Sequence, residues 1–252
     1  MNPRSEEVGY IGLGRMGWPM AANLTRAGYG LVVRDADSNV ERRFAEELGA
    51  RSGRDGTAFA AAGVVVTMLP DGRAVQDAVL DDGIADVLSN GAVVVDMSSS
   101  SPHDTLELGR ELGKRGIALV DAPVSGGVPR AIDGTLAIMA GADDDAAVDR
   151  VLPILDVLGR RVFRTGPLGS GHAMKALNNF CAAAGYAALA EALVLGRSFG
   201  LTPSTMVEIV NNSTGRSFCS DVVFPGGTST SRTGGARGVD FEQQRQRGGG
   251  AQ

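Results

Sequence analysis

The sequence predicts an α/β protein, with a Rossmann-type, doubly wound parallel sheet followed by an incomplete all-α domain. Two observations support this prediction. From residue 8 to about 165, short runs of β-branched residues alternate with helix-period segments, which is typical of a parallel sheet wrapped by helices. From about 170 to 199 the strand pattern is absent, and a stretch rich in alanine and leucine with few charges predicts one buried helix.

Seven segments are predicted to be strands because they are short, rich in valine and isoleucine, and bounded by turn residues. Several are apolar throughout, as expected for strands buried on both faces of a sheet. The predicted strands cover residues 8–11, 30–34, 64–68, 92–97, 117–121, 135–140 and 161–163.

Capping residues predict where three helices begin, because a polar side chain just before a helix accepts hydrogen bonds from its free amides. Proline favours the first helical position. The predicted helices, each with its cap, are 73–80 after Asp71, 105–114 after Ser101 and Pro102, and 203–212 after Thr202.

The change of pattern also predicts the domain boundaries. We expect a sheet domain over residues 1–167, a partial helical domain over 168–224 and a tail over 225–252. The tail is rich in glycine, serine, threonine and arginine and has few apolar residues. Such a segment cannot offset its ordering entropy, so the tail is predicted to be disordered.

Composition argues against several classes of function. The 252 residues include 29 acidic and 24 basic ones, for a formal charge of -5, so the chain lacks the basic face that non-specific nucleic-acid binding requires. Cys181 and Cys219 form no Cys-x-x-Cys motif or Cys/His cluster, which argues against a zinc site and favours a reducing, cytoplasmic setting. No charge-free run reaches the roughly 18 residues that a membrane span needs. We therefore expect no nucleic-acid, metal or membrane partner.

A glycine-rich turn joins the first predicted strand to a helix. In a Gly-x-Gly-x-x-Gly pattern, the first glycine permits a tight turn, the second lets the backbone approach a pyrophosphate, and the third lets the helix pack on the strand. Amides at the helix start then face the phosphates. The strand before the turn and the helix after it favour a dinucleotide site. Its residues are Gly12, Leu13, Gly14, Arg15, Met16 and Gly17.

Asp35 stands at the end of the second predicted strand, where a carboxylate can accept both ribose hydroxyls of NAD. The same carboxylate would repel the 2'-phosphate of NADP. The neighbouring Arg34 either lies in solvent or turns into the same pocket, where its guanidinium would hold that phosphate. NAD is therefore the predicted cofactor, with NADP as the alternative.

Two later segments suit a small carboxylate and a proton-transfer group. Ser125, Gly126 and Gly127 follow a predicted strand with a hydroxyl and unencumbered backbone amides, which can bind a carboxylate. Lys175 and Asn179 are four residues apart and lie on the same face of the long helix. Unlike an arginine, a partly buried lysine can lose its proton, and Lys175 is one of two lysines in the chain.

Two histidines are alternative bases. His103 lies just inside a predicted helix start, and His172 is in the first turn of the long helix, where side chains are commonly solvated. Neither has a carboxylate that the sequence places to orient it. Lys175 is therefore the preferred base.

Four motifs follow one another in a specific order. They are the glycine turn with Met-Ala-Ala-Asn-Leu at 20–24, Asp-Met-Ser-Ser at 96–99, Asp-Ala-Pro-Val-Ser-Gly-Gly at 121–127, and Gly-x-Gly-x-x-x-Lys-x-x-Asn-Asn at 169–179. In this order and spacing, over residues 8–224, the chain resembles the β-hydroxyacid dehydrogenases. This is the family of 3-hydroxyisobutyrate dehydrogenase and tartronate semialdehyde reductase, which is related to 6-phosphogluconate dehydrogenase.

The resemblance implies a role for each motif. Lys175 would be the catalytic acid/base with Asn179 assisting, and Ser125 to Gly127 would hold the substrate carboxylate. The family also implies a homo-oligomer paired through the helical domains. The residues implied to line the nicotinamide side are Met68, Leu69, Pro70 and Ser99.

The chain departs from the family pattern near its end. Family members carry a second lysine, in a Lys-Asp segment that reaches the active site, and no lysine follows Lys175 here. We therefore predict a truncated or frameshifted helical domain. The predicted function is hydride transfer between NAD and a small β-hydroxy acid similar to 3-hydroxyisobutyrate. The alternatives are an NADPH-dependent semialdehyde or glyoxylate reductase, and a dinucleotide-binding protein impaired in catalysis.

Overall fold

A computed structural model describes residues 7–223 of the chain, so the predicted tail over 225–252 lies outside the described residues. Each predicted strand is found within a few residues of its expected position. Two short strands, β3 and β7, are additional. The strands are β1 (Val8–Ile11), β2 (Leu31–Arg34), β3 (Arg51–Ser52), β4 (Val64–Thr67), β5 (Val93–Asp96), β6 (Ala118–Asp121), β7 (Val124–Ser125), β8 (Leu136–Gly141) and β9 (Gly159–Gly166).

The helices alternate with the strands through β9 and then continue without strands to the end of the described residues. Short 3₁₀ and π-helical turns occur at Thr57–Ala61, Asp77–Asp81 and Cys219–Val223. The helices are α1 (Gly17–Arg26), α2 (Ser38–Leu48), α3 (Gly72–Gln76), α4 (Ile84–Val87), α5 (Pro102–Gly113), α6 (Gly127–Ile132), α7 (Asp145–Leu158), α8 (Ser170–Ser198) and α9 (Pro203–Asn211).

The three predicted helix caps are confirmed. The side chains of Asp71, Ser101 and Thr202 each accept a hydrogen bond from a backbone amide three residues later, at the starts of α3, α5 and α9. The helix predicted over 73–80 differs in one respect. α3 ends at Gln76 and continues as the π-helical turn over Asp77–Asp81.

The strands form one mixed, mostly parallel sheet in the order β3-β2-β1-β4-β5-β6-β8-β7, with β9 beside β8. Within the set β1 to β6, every pair of neighbouring strands is parallel, which confirms the predicted Rossmann-type fold. β8, however, runs antiparallel to β6 and β7. The connection from β7 to β8 holds only the six-residue helix α6. A parallel crossover needs a dozen or more residues, so the chain returns in the opposite direction.

The core lies on both faces of this sheet, as the continuous apolar strands predict. In β4, Val64 and Val66 belong to the core cluster on one face and Val65 to the cluster on the other, and all three are buried. Alternate residues of a strand point to opposite faces, so a central strand covered by helices on both sides must be apolar throughout. The helices leave the carboxyl ends of the parallel strands uncovered, and polar side chains lie there.

The described chain divides into two compact units, the first ending at Leu177 and the second beginning at Asn178. This division lies further along the chain than the predicted boundary at 167. The reason is that the first turns of α8 pack with the sheet: a Cβ on Gly171 would lie 2.3 Å from the Met139 carbonyl oxygen of β8.

The long helix α8 is continuous, as predicted, but its predicted burial is wrong. Of the most apolar stretch of 18 residues in this helix, only 11% is buried inside the protein. Within the second unit, Leu189 and Leu193 pack with Met206 and Val207 of α9. Alanine and leucine content predicts a helix without specifying what covers each side of it. Within the described range 7–223, α8 is the one helix long and apolar enough to cross a membrane by length and composition.

Candidate active site

The glycine turn between β1 and α1 has two glycines that the fold requires and one that it leaves open. Gly12 has a φ of +98°, and a Cβ there would lie 2.3 Å from the Met68 carbonyl oxygen. A Cβ on Gly17 would lie 1.9 Å from the Gly12 carbonyl oxygen. A Cβ on Gly14, in contrast, would meet no heavy atom within 4 Å. The open space at Gly14 fits the approach of a pyrophosphate to the backbone.

Asp35 lies against this turn, as the sequence predicts for a ribose-binding carboxylate. Its Oδ2 accepts a hydrogen bond from the Leu13 amide at 2.6 Å, and its Oδ1 accepts one from the Asp37 amide at 2.9 Å. Of the other residues in the turn, Arg15 is exposed and Met16 half-buried. The carboxylate is therefore held in place by the backbone and partly open to solvent.

A surface cavity of about 480 Å³ opens beside Asp35. In its wall, Arg34 Nη2 lies 2.8 Å from Asp82 Oδ2, so Arg34 forms an ion pair rather than lying free in solvent. Arg54 is a second basic residue in the wall. The size of the cavity and its wall, which combines apolar and charged side chains, suit the adenosine end of a dinucleotide. The residues that line it include Ile11, Arg34, Asp35, Glu41, Arg54, Leu69, Pro70 and Asp82.

The Met68 to Pro70 turn, at the end of β4, lies next to the glycine turn. The Met68 amide donates to the Ile11 carbonyl at 2.9 Å, and the Leu69 amide donates to Ser98 Oγ at 2.9 Å. Ser98 is fully buried, whereas the predicted Ser99 is exposed beside it. Ser98 therefore joins the turns after β4 and β5, whereas the Ser99 side chain is exposed to solvent.

Beneath these turns lies a buried carboxylate that the sequence analysis missed. Asp96, at the end of β5, is 2% exposed. It accepts hydrogen bonds from Thr67 Oγ1 at 2.9 Å, from the Ser98 amide at 3.0 Å and from Ser100 Oγ at 2.6 Å. These bonds hold the shape of the turn after β5. An aspartate at the end of a buried strand was the available signal.

A second buried carboxylate anchors the start of α8. Asp121, at the end of β6, is fully buried and accepts the amides of Gly169 and His172, both at 2.7 Å. Burial raises the pKa of Asp121, and the two amides act against that increase. The start of the helix that carries Lys175 is therefore bonded to the sheet.

The expectation that His172 is solvated is wrong. Its side chain is 1% exposed, with Nδ1 at 2.7 Å from Thr105 Oγ1 and Nε2 at 3.2 Å from the Ser98 carbonyl. Its ring also lies 3.7 Å from a carboxylate oxygen of Asp96 and 3.7 Å from one of Asp121. Sequence neighbours could not reveal this, because both carboxylates come from distant strands. His103, the other histidine, is exposed.

Lys175 lies one helical turn after His172 and is half-buried. Burial lowers the pKa of Lys175 below its usual 10.5. No hydrogen bond or ion pair to its Nζ is found within residues 7–223. Asn179, four residues later in α8, belongs to the second unit and is exposed.

The predicted carboxylate-binding segment lies at the end of β7. Ser125 pairs with Ala137 of β8 and is half-buried, while Gly126 and Gly127 are exposed, with φ of +139° and +69°. In the described part of the chain, no hydrogen bond joins Ser125 to Lys175. Contacts join the glycine turn, the turns after β4 and β5, and the start of α8, whereas no hydrogen bond of the Ser125 side chain to this network is found among the described residues.

Two family models match the chain. One, described as the NAD binding domain of 6-phosphogluconate dehydrogenase, matches residues 7–166. The other, described as NAD-binding of NADP-dependent 3-hydroxyisobutyrate dehydrogenase, matches residues 169–234. The chain therefore matches NAD-binding domain models of 6-phosphogluconate dehydrogenase and of 3-hydroxyisobutyrate dehydrogenase.

Individual relatives agree with these matches. The chain is 41% identical over 218 residues to 2-(hydroxymethyl)glutarate dehydrogenase of Eubacterium barkeri, covering 85% of this chain and 71% of the relative. It is 38% identical over 223 residues to NAD-dependent L-serine dehydrogenase of Pseudomonas aeruginosa, covering 87% and 74%. The solved structure of Mycobacterium tuberculosis 3-hydroxyisobutyrate dehydrogenase with L-serine superposes with a TM-score of 0.79 at 33% identity, covering 84% and 72%.

The glycine turn, the joined strand-end turns and the anchored lysine helix thus occur in a chain that matches this family along most of its length. The chain belongs to the NAD(P)-dependent β-hydroxyacid dehydrogenases, the family of 3-hydroxyisobutyrate dehydrogenase.

Proposed function

We propose that the chain oxidises a small β-hydroxy acid with NAD and that Lys175 is the general acid/base. The observation that carries this proposal is a half-buried amine with a lowered pKa, one turn beyond a helix start that is bonded to the sheet. A lysine whose pKa lies nearer to neutrality can exchange a proton within the working pH range. His172 is fully enclosed and His103 exposed, so neither competes as well for this role.

The names of the relatives support a common substrate class. Serine, 3-hydroxyisobutyrate and 2-(hydroxymethyl)glutarate all contain a primary hydroxyl on the carbon next to the one that carries a carboxylate. The proposed substrate is therefore a 2-substituted 3-hydroxypropanoate, and the product is the corresponding semialdehyde. The identity of the 2-substituent determines which member of the class is used.

In the proposed reaction, the chain binds the carboxylate and moves one proton. The Ser125 hydroxyl and the amides of Gly126 and Gly127 would bind the substrate carboxylate. Neutral Lys175 then takes the hydroxyl proton, with Asn179 assisting, as the C–H bond breaks. When bound, the nicotinamide accepts the hydride. In the reverse direction, protonated Lys175 donates its proton to the carbonyl oxygen of the semialdehyde.

The test is substitution of the lysine. We expect Lys175→Ala to lower kcat by about 10² to 10⁴, the range that general acid/base groups supply, with NAD affinity unchanged. Lys114→Ala is the matched control, because Lys114 is the other lysine and lies exposed, 2.6 Å from Glu111. Normal turnover by Lys175→Ala would exclude Lys175 as the base. NAD binding without turnover by the wild type, on a panel of such acids, would favour the impaired dinucleotide-binding protein.

NAD is proposed over NADP because of charges in the cavity wall. The Asp35 carboxylate lies in the cavity wall, where it would accept the ribose hydroxyls and repel a 2'-phosphate. Arg34, which could hold that phosphate, is instead paired with Asp82. Asp82→Asn should free Arg34 and raise the ratio of kcat/KM for NADP to that for NAD by about tenfold, since a charge-assisted hydrogen bond contributes about 1.5 to 3 kcal/mol. Asp86→Asn is the control, because Asp86 pairs with Arg115 and does not line the cavity. An unchanged ratio for Asp82→Asn, or a preference for NADP in the wild type, contradicts this proposal and favours the NADPH-dependent reductase.

A homo-oligomer formed through the helical region is also part of the proposal, as is a cytoplasmic setting with both cysteines free. Large apolar side chains of the second unit support the oligomer, since they are exposed in the single chain and such patches mark interaction sites. Val194→Asp should then lower the mass measured by light scattering, and a monomeric wild type would contradict it. The exposed residues are Phe180, Val194, Leu195, Phe199 and Phe218, at 63% to 77%.

A further inference from the structure

We propose that His172 is a positioning residue of the dehydrogenase reaction, which holds the nicotinamide-side turns and the helix of Lys175 in one fixed arrangement. The proposal rests on the function proposed above. It assigns a role to a side chain that does not touch the substrate. Three sets of contacts, all within the first unit, support it.

The ring of His172 bridges two elements that are far apart in the chain, and its backbone amide bonds to a third. A carbonyl oxygen only accepts, so Nε2 must donate its hydrogen to the Ser98 carbonyl, which lies 3.2 Å away in the turn after β5. Nδ1 lies 2.7 Å from Thr105 Oγ1 in the first turn of α5. The backbone amide of His172 donates to Asp121 at the end of β6. One residue thus bonds to two strand-end turns and one helix.

The bridge continues to the cofactor side through Ser98. The Ser98 hydroxyl accepts the Leu69 amide at 2.9 Å, and Leu69 belongs to the turn that contacts Gly12. On the other side, Lys175 follows His172 by three residues, a rise of about 4.5 Å along the helix. A path of hydrogen bonds and short backbone segments therefore runs from the Ile11 carbonyl, just before the glycine turn, to the base of the lysine side chain. Movement along this path would change the distance between the nicotinamide site and the amine.

The surroundings of the ring are built for a polar group. Asp96 and Asp121 each place a carboxylate oxygen 3.7 Å from a ring nitrogen, and both are at most 2% exposed. Burial of polar groups is costly unless they are paired, and here each carboxylate accepts at least two hydrogen bonds. An apolar side chain in place of His172 would leave the Ser98 carbonyl without its ring donor.

The experiment compares His172→Leu with His172→Gln. Leucine fills similar space without polar atoms, whereas glutamine keeps a donor for the Ser98 carbonyl and a second polar atom that can pair with the Thr105 hydroxyl. We expect His172→Leu to lower kcat by about 10- to 100-fold, since a misplacement of about 1 Å can cost 10²-fold, with the Kd of NAD within about twofold of wild type. His172→Gln should recover kcat to within about fivefold of wild type. Rates are measured well below the Tm of each variant and per NAD-binding site.

A purely structural role gives a different pattern. If His172→Leu lowers Tm but keeps wild-type kcat per NAD-binding site, or if His172→Gln is as impaired as His172→Leu, the proposal is overturned. Should His172→Leu fail to fold, Thr105→Val removes the hydroxyl partner of Nδ1 from the other side. It should lower kcat at least about threefold without weakening NAD binding, and an unchanged kcat overturns the proposal. Because Lys175→Ala is tested separately, a failure here is distinguishable from a failure of the proposed base.

Discussion

Alanine substitutions in the glycine turn should separate folding from cofactor binding. At Gly17 a methyl group would lie 1.9 Å from the Gly12 carbonyl oxygen, so α1 and β1 must move apart. At Gly12 it would lie 2.3 Å from the Met68 carbonyl oxygen at a φ of +98°, where backbone strain alone costs about 1 to 3 kcal/mol. We expect each substitution to lower the free energy of unfolding by about 3 kcal/mol or more. This corresponds to a decrease in Tm of about 6 to 12 °C.

Gly14→Ala should have the opposite pattern. Its methyl group meets no heavy atom within 4 Å, so the free energy of unfolding should change by about 0.5 kcal/mol or less. The methyl group would, however, occupy the space proposed for the pyrophosphate. We expect the Kd of NAD to rise at least about tenfold, which is about 1.4 kcal/mol of binding free energy.

The assays use a probe that the chain already contains. Trp18 is the single tryptophan, follows Gly17 directly, and packs edge-on against Phe44 at 4.9 Å between ring centroids. Its fluorescence should report urea unfolding, and calorimetric titration gives the Kd of NAD. Gly30→Ala is the matched control. A Cβ on Gly30 would also meet no heavy atom within 4 Å, and Gly30 precedes β2, at the amino ends of the strands rather than at the carboxyl ends where the glycine turn lies. Wild-type affinity for NAD in Gly14→Ala, or wild-type stability in Gly17→Ala, would refute this reasoning.

Three further predictions concern a buried tyrosine and the half-buried Lys175. The Tyr10 hydroxyl is buried without a hydrogen-bond partner in the described residues, so Tyr10→Phe should raise the free energy of unfolding by about 1 kcal/mol in urea melts. Tyr186→Phe, at a half-buried position, should change it by less than about 0.5 kcal/mol, and a loss of stability in Tyr10→Phe would contradict the assignment. Because burial lowers the pKa of Lys175, kcat/KM for oxidation should rise with pH and level off below pH 10.5, while the rate of reduction falls over the same range. The unfolded chain holds this proton more tightly, so Lys175 should also make stability rise with pH between its lowered pKa and 10.5. An oxidation profile that keeps this inflection in Lys175→Met would assign it to another group.

Part of the site follows from neighbouring strands and could be predicted. The glycine turn ends β1 and Asp35 follows β2, and parallel pairing of these strands brings the Leu13 amide to the Asp35 carboxylate. Ser99 was predicted from a motif, yet the buried Ser98 beside it makes the structural bonds. Sequence alone does not distinguish adjacent serines, because burial depends on which way each side chain points.

The periodicity of apolar residues, the glycine pattern and the helix caps determined the sheet, its helices and the dinucleotide turn. These features are local, since each depends on a few consecutive residues. The tertiary structure alone decided the burial of His172, whose ring partners Thr105 and Ser98 lie 67 and 74 residues away in the chain. It also decided the pairing of Arg34 with Asp82 and the exposure of α8. These properties depend on which residues, distant in the chain, come into contact in the folded protein. The apolar content of a single segment does not determine those contacts.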